Sequence, residues 1–155
     1  MTLTILTPNQ TEQIENKLRK QFGIKEIPGI LVKKGQDRIF IFQGSLKGKE
    51  MKKLESWLPL ERVGVYFAKE QNDEIRLSIE GTHILKNQIK NNIFDLNDEQ
   101  LESWMHGNEL NLITGKNTFL VMKYKDDLLG TGKASQEKIT NFIPKSRRLK
   151  NRGNN

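Results

Sequence analysis

Residues 130–133, Gly-Thr-Gly-Lys, are the stretch of this 155-residue chain most similar to a catalytic motif. A glycine followed by a lysine ends the loops that cradle nucleotide phosphates, but such loops also need a glycine five residues before that glycine and a Ser or Thr after the lysine. Asp127 and Ala134 occupy these two positions. No glycine follows at the spacing of a dinucleotide-binding turn either. We therefore predict no nucleotide site here and no cofactor.

The other candidates for catalytic chemistry are acidic pairs and two histidines. The acidic pairs fall in predicted turns or in the first turn of a predicted helix, where backbone chemistry already explains them: Asp73-Glu74, Asp98-Glu99 and Asp126-Asp127. His83 and His106 have no partners at the spacing of a triad or a metal site. The chain has no cysteine, which excludes a disulfide scaffold, a cysteine-ligated metal and a cysteine nucleophile. We predict a protein with no reaction of its own and no metal.

Charge is distributed unevenly along the chain, whose formal net charge is +7. Residues 1–60 carry 11 basic and 6 acidic side chains, residues 61–130 carry 8 and 12, and residues 131–155 carry 7 and 1. An acidic middle between basic ends fits a basic surface directed at nucleic acid. It fits equally well lysine-rich ends that keep a protein in solution.

The basic residues after residue 130 are the strongest candidates for phosphate contacts, because only Glu137 opposes them. Cations at this density neutralise phosphates and release counterions, which makes the affinity sensitive to salt. Arg147 and Arg148 stand out, since a planar guanidinium can bind a phosphate with two hydrogen bonds or stack on an unpaired base. A second basic patch is predicted in the amino-terminal part, at Lys33, Lys34, Lys49 and Lys53.

Four segments of the carboxy-terminal part carry a resemblance to a known family. They are Ser-Trp-Met-His-Gly-Asn-Glu at 103–109, Phe-Leu-Val-Met-Lys-Tyr at 119–124, Leu-Gly-Thr-Gly-Lys at 129–133 and Lys-Ile-Thr-Asn-Phe-Ile-Pro-Lys-Ser-Arg-Arg at 138–148. In order and spacing they resemble the carboxy-terminal RNA-binding PUA-like domain of the Sun/Fmu-type RNA cytosine-5 methyltransferases. Thr131 stands where that family favours Trp, and the family's catalytic cysteine is missing. The chain is therefore more similar to the stand-alone archaeal-type relative, a ribosome-biogenesis protein.

This resemblance implies RNA binding without catalysis. The implied ligand is rRNA, pre-ribosomal RNA or tRNA, and the implied further partners are an RNA methyltransferase or pre-ribosomal proteins. The implied contact residues are Lys133, Asn141, Lys145, Arg147, Arg148 and Lys150, with Gly130 and Gly132 bringing the backbone close to the RNA. Two of these assignments have an equal structural alternative. The glycines also suit a tight turn or bulge, and Asn141 also suits the end of a strand.

A second hypothesis belongs to another functional class. The chain would be a protein-interaction adaptor that recruits a separate RNA-modifying enzyme, with the acidic middle as its docking surface. Both hypotheses suit a cytoplasmic protein with no membrane partner. The sequence starts without a basic region, and no apolar run approaches the roughly 18 residues of a membrane span.

From the helices and strands that must position these residues we predict an α+β fold in two parts. The pattern of residues 1–60 predicts a small αββα domain. Thr7 and Gln10 suit a capping box, Gly23 suits the end of the helix, and a hairpin turn is expected at Gly35. An apolar stripe predicts the first helix at Ile14, Leu18 and Phe22, and another predicts a second helix at Met51, Leu54 and Leu58.

The pattern of residues 61–150 predicts a mixed β-barrel, which the resemblance implies is PUA-like, and residues 151–155 predict a disordered tail. Strands are expected at 62–69, 74–80, 93–94, 119–124, 128–134 and 139–143. One helix is expected over 82–92, and a second one is expected to begin after Asn97 and to end at Gly107.

Overall fold

Two β-sheets and three α-helices form the part of the chain that this computed structural model describes, residues 3–43 and 64–150. The first sheet is antiparallel, and its strands in order across it are β1 (Leu3–Ile5), β2 (Ile30–Lys34), β3 (Arg38–Phe42), β4 (Val65–Gln71) and β5 (Glu74–Leu77). The second sheet has the order β6 (Ile93–Asp95), β7 (Phe119–Tyr124), β8 (Asp127–Ala134) and β9 (Ile139–Thr140), with β6 and β7 parallel. The helices are α1 (Pro8–Phe22), α2 (Ile79–Ile84) and α3 (Asp98–Met105). No helix within these ranges has the length and apolar content to cross a membrane.

Helix α1 confirms the predicted start, stripe and end. The Thr7 side chain accepts a hydrogen bond from the Gln10 amide at 3.1 Å, and the Gln10 side chain accepts one from the Thr7 amide at 2.9 Å. Gly23 ends the helix in a left-handed conformation with φ 76°. The apolar stripe is buried against one face of the first sheet, in a core that includes Leu18, Phe22, Leu31, Ile39, Ile41 and Ile75.

A buried glutamine closes the outer edge of the first sheet. Gln21 is 7% exposed, and its side-chain amide donates to the Ile75 carbonyl at 2.9 Å and accepts from the Ile75 amide at 2.8 Å. Because β5 is the last strand of the sheet, its outward backbone groups would otherwise lack partners. The apolar stripe of α1 gave no sign of this contact, since Gln21 lies beside the stripe rather than within it.

The first sheet runs across residue 60, where the sequence suggested a domain boundary. Strands β3 and β4 pair directly, so the two strands that we expected in the second domain's barrel extend the hairpin of the first. The strands therefore form two sheets, where we expected a single barrel after residue 61. The predicted helix through Met51 and Leu58, which would complete the αββα arrangement, lies outside the described residues, as does the predicted tail at 151–155.

The prediction of one helix over residues 82–92 is wrong. Helix α2 begins three residues earlier, because the Ser78 hydroxyl accepts a hydrogen bond from the Gly81 amide at 2.9 Å and caps it there. Only a single 3₁₀ turn, Lys86–Gln88, follows. The Gln88 side chain accepts hydrogen bonds from the backbone amides of Lys25 and Glu26, at 2.9 and 3.0 Å, which ties this segment to the loop after α1.

Strand β7 is buried on both of its faces and joins two cores. Phe119 and Val121 pack into the core beneath the first sheet, whereas Leu120 and Met122 pack against Trp104 of α3. Helix α3 starts after Asn97, the predicted N-cap, and ends as expected near Gly107. The structure adds a capping box, because the Gln100 side chain accepts from the Asn97 amide. The continuous apolar run of β7 thus holds the two halves of the molecule together.

Candidate nucleic-acid interface

A small cleft lies where β5 and α2 meet β8 and the carboxy-terminal loop. Its volume is about 60 Å³, which suits a few water molecules rather than a base. The side chains that give it chemical character are Tyr66, Arg76, Glu80, Phe142, Pro144 and Arg147. A ligand larger than water would lie on the rim of this cleft.

Arg147 lies at this rim and forms an ion pair with Glu80 of α2. Both side chains are well exposed, at 44% and 40%. Exposed ion pairs contribute only about 0–1 kcal/mol because water screens them and both side chains lose rotamer freedom. The guanidinium can therefore exchange this carboxylate for another anion at little cost.

Arg76 supplies a second cation to the same cleft. Its guanidinium carbon lies 4.3 Å from the centre of the Phe142 ring, in the geometry of a cation–π contact. The contact residues expected from the sequence did not include Arg76, Tyr66 or Phe142. Only the contact between β5 and the loop after β9, 66 residues apart, brings them together.

The two glycines of the 130–133 motif are buried and serve packing. Gly130 has φ 77°, its amide donates to the Thr82 hydroxyl at 3.2 Å, and a Cβ there would lie 3.2 Å from the Ile79 backbone. A Cβ on Gly132 would lie 2.6 Å from Ile139 and 2.7 Å from Trp104. The tight-packing alternative fits both residues, because they bring β8 against α2 and α3.

Lys133 bridges the two sheets. Its ammonium lies 2.8 Å from a Glu74 carboxylate oxygen and 4.9 Å from the centre of the Phe119 ring. The Thr118 hydroxyl donates to the same carboxylate. Both charged side chains are only about a quarter exposed, and Lys133 does not line the cleft. Its predicted phosphate contact would require it to leave Glu74.

Asn141 uses its whole side-chain amide within the chain. The amide nitrogen donates to the carbonyls of Trp104 and Asn108 at 2.8 and 3.0 Å, and its oxygen accepts from the Ile143 amide at 2.8 Å. This arrangement fits the strand-ending alternative, because the amide nitrogen and one lone pair of the oxygen already have partners within the chain.

Arg148 differs from its neighbour Arg147. Its Nε donates to the Ile143 carbonyl at 2.8 Å, and its side chain covers Gly107, where a Cβ would lie 2.5 Å from it. The next residue, Leu149, donates its amide to the Met105 carbonyl at 2.8 Å. Arg148 therefore anchors the carboxy-terminal segment on the end of α3.

The remaining predicted carboxy-terminal cations, Lys145 and Lys150, are exposed and have no ion pair within residues 3–43 and 64–150. Together with Arg147 they form a short exposed basic segment after Pro144. Among the described residues, the ion pair of this segment is the one between Arg147 and Glu80.

Lys33 and Lys34 of the predicted second basic patch lie on opposite faces of the first sheet. Lys33 lies 2.8 Å from Glu70, on the face of the first sheet that carries the buried Ile39 and Ile41. Lys34 is the next residue along β2 and therefore points to the opposite face. Lys49 and Lys53 lie outside the described residues.

One carboxyl group outside the cleft has a shifted pKa. Asp73, in the turn between β4 and β5, lies 2.9 Å from the Lys17 ammonium, and this hydrogen-bonded ion pair lowers the pKa of its carboxyl group. The pair is on the surface and joins the turn to α1. It gives no sign of acid–base chemistry.

The comparisons with known proteins bear on the second sheet. No curated protein matches the chain. A family model described as the methyltransferase RsmF PUA domain matches residues 91–149. The matched segment contains the second sheet, α3, Lys145 and Arg147, and it leaves out α1, α2, the first sheet and Lys150. Residues 91–149 are thus a PUA-like domain related to the carboxy-terminal domains of the Sun/Fmu-type methyltransferases.

Proposed function

We propose that this chain binds structured RNA at the rim of the cleft and has no reaction of its own. The RNA would be rRNA or pre-ribosomal RNA, bound in the cytoplasm during ribosome biogenesis or RNA modification. The PUA-like domain supports the RNA ligand, and the lack of any cysteine removes the covalent chemistry of the methyltransferases that carry such domains.

The exposed Arg147–Glu80 pair is the observation that carries this proposal. It puts an arginine with a weakly held counterion on the rim of the cleft that Arg76 also lines. A phosphate matches the planar guanidinium better than a single carboxylate oxygen does, since it can accept two parallel hydrogen bonds. RNA binding would then replace Glu80 as the partner of Arg147.

The small volume of the cleft favours recognition of RNA shape over insertion of a base. A structured RNA presents phosphates and 2′-hydroxyls on its outside, and a base that is already unpaired can stack on a guanidinium plane. Arg76 lines the cleft, with its guanidinium carbon 4.3 Å from the centre of the Phe142 ring, and would offer such a plane.

The test is a binding titration of the full chain against a structured rRNA fragment, with transfer RNA and duplex DNA as competitors, between low and near-physiological salt. We expect a preference for structured RNA that persists at physiological salt. Binding that vanishes with salt and ignores the type of nucleic acid would contradict the proposal, and the adaptor hypothesis would then stand first.

A matched pair of variants locates the site. Arg147→Ala should weaken binding about tenfold, equivalent to about 1.4 kcal/mol. Lys138→Ala is the control: Lys138 is 45% exposed and pairs with Glu109, which is 42% exposed, but it does not line the cleft. Both variants remove one positive charge from a similar surface pair. Equal losses would mean that only the net charge matters.

A further inference from the structure

The first sheet has a second face, opposite to the one that packs on α1. We call it the open face because side chains on it, among them Arg38, Phe40 and Tyr66, are exposed or partly exposed. Residues directly opposite each other on antiparallel strands share a face. Lys34 is opposite Arg38, Arg38 is opposite Lys69, and Lys69 is opposite Arg76. The open face therefore carries one row of basic side chains across four strands: Lys34, Arg38, Lys69 and Arg76.

A row of aromatic rings lies beside this basic row. Phe40 is opposite Tyr66, both are partly exposed, and their ring centres are 5.6 Å apart. The exposed Arg38 lies over this pair, with its guanidinium carbon 5.1 Å from the centre of the Tyr66 ring. Beyond the rings, toward β1, the open face becomes apolar around the buried Val32.

A bulge in β4 makes this arrangement possible. Strict alternation would send Tyr66 and Lys69, three residues apart, to opposite faces. The register shifts between Ile39 and Phe40, so that Phe67 is an extra residue, and Phe67 and Ala68 are both buried on the α1 side. Tyr66 and Lys69 consequently share the open face.

The open face is continuous with the cleft. Tyr66 belongs to the aromatic row and Arg76 to the basic row, and both also line the cleft. A ligand that lies on the cleft rim next to Arg147 can therefore continue over the sheet without leaving basic and aromatic side chains.

The only acidic partner that the described residues give to this basic row is Asp37, which lies 3.6 Å from the Lys69 ammonium. Both groups are substantially exposed, so this ion pair contributes little and can exchange. Glu70 points to the other face, where it pairs with Lys33. The open face therefore has a net positive charge among the residues described.

We propose that the open face binds a single-stranded RNA segment that continues from the structured RNA on the cleft rim, an inference that rests on the proposed function. Flat rings and a guanidinium plane stack on unpaired bases, whereas a duplex keeps its bases stacked internally. The flanking cations suit the phosphates of the same strand. Lys34 and Arg76 are separated by three strand spacings, or about 14 Å. At about 3.4 Å for each stacked nucleotide, at most about four nucleotides fit along the basic row.

The test compares a blunt RNA hairpin with the same hairpin carrying four unpaired adenosines at its 5′ end or at its 3′ end, bound to the full chain. One of the two extensions should raise the affinity about tenfold. Phe40→Leu keeps apolar bulk and should abolish most of this gain, by about fivefold or more, because stacking on the ring is lost. Phe40→Tyr keeps the ring and should preserve the gain.

Two lysines that are adjacent in sequence but lie on opposite faces of the sheet, Lys34 and Lys33, give the second readout. Lys34→Gln should reduce the slope of log affinity against log salt by about 0.7 for the extended hairpin, the value expected when one phosphate contact with a single strand is lost. Lys33→Gln removes the same charge from the opposite face and should leave this slope unchanged. Arg38→Gln, at an exposed position, replaces Phe40→Leu if thermal melting shows that the latter is poorly folded.

Failure of this inference is distinguishable from failure of the proposed function. If the blunt hairpin binds and Arg147→Ala weakens it, but neither extension adds affinity or Phe40→Leu leaves the gain intact, only the open-face inference is overturned. If the blunt hairpin does not bind but an unpaired oligoadenosine does and Phe40→Leu weakens that binding, the cleft proposal fails and the open face remains as the binding surface.

Discussion

The two sheets use their basic residues in opposite ways. In the PUA-like domain the sequence clusters cations, and the fold uses two of them internally: Lys133 pairs with Glu74, and Arg148 donates to a backbone carbonyl. In the first sheet the cations are scattered along the sequence, and strand register gathers them into a row. Local charge density in the sequence is thus a poor guide to which cations are available to a ligand.

The largest effect on stability is expected from replacing a predicted RNA-contact residue whose hydrogen bonds all lie within the chain. Asn141→Ala removes the side-chain partner of the Asn108 carbonyl and the Ile143 amide, and one of the two donors to the Trp104 carbonyl. We expect a loss of about 2 kcal/mol in the free energy of unfolding, measured by chemical denaturation. The RNA affinity of the folded fraction should not change. A stable variant with weakened RNA binding would return Asn141 to the site.

Arg147 and Arg148 are adjacent in sequence, and their alanine variants should separate affinity from stability. Arg147→Ala should lower RNA affinity about tenfold with little change in stability, because its ion pair is exposed. Arg148→Ala loses the hydrogen bond to Ile143 and the cover over Gly107. It should cost about 1 kcal/mol of stability with a smaller effect on affinity. Titration and denaturation of both variants check this, and the reverse pattern would exchange their roles.

The contact between the two sheets can be weakened without touching the cleft. Glu74→Gln removes the charge that holds Lys133 and accepts from Thr118. We expect a loss of up to about 1 kcal/mol in the free energy of unfolding, because both partners are three-quarters buried but still reached by water. Thermal melting of the variant beside Glu109→Gln, which breaks a more exposed pair, measures the difference. Equal melting temperatures would show that the Lys133–Glu74 bridge does not hold the sheets together.

Sequence reasoning located the elements whose signals are local. The capping box of α1, the N-cap of α3, the hairpin of β2 and β3, and the strands β7 and β8 each depend on residues within a few positions of one another. The early start of α2 was missed because alternation through Ile79 indicated a strand, while the Ser78 cap competes for the same residues.

The site was predicted less well than the fold, since its residues meet only through long-range contacts. Arg147 carried a local signal in its basic neighbourhood, but its partner Glu80 lies 67 residues away. The open face depends on the bulge at Phe67, which strand alternation cannot reveal. The PUA resemblance, in contrast, depended on motifs in sequence order, and the family match over residues 91–149 confirms it.

The most direct test of RNA binding at the cleft rim is whether the affinity for structured RNA rises or falls when the Glu80 carboxylate is replaced by an uncharged amide. Glu80→Gln frees Arg147 from its ion pair and should raise the affinity for structured RNA about threefold, within the range of an exposed ion pair. Glu109→Gln, which frees Lys138 from an equally exposed pair away from the cleft, should change it little beyond the effect of one unit of net charge. Equal gains in the two variants, or a loss in Glu80→Gln, would contradict RNA binding at Arg147.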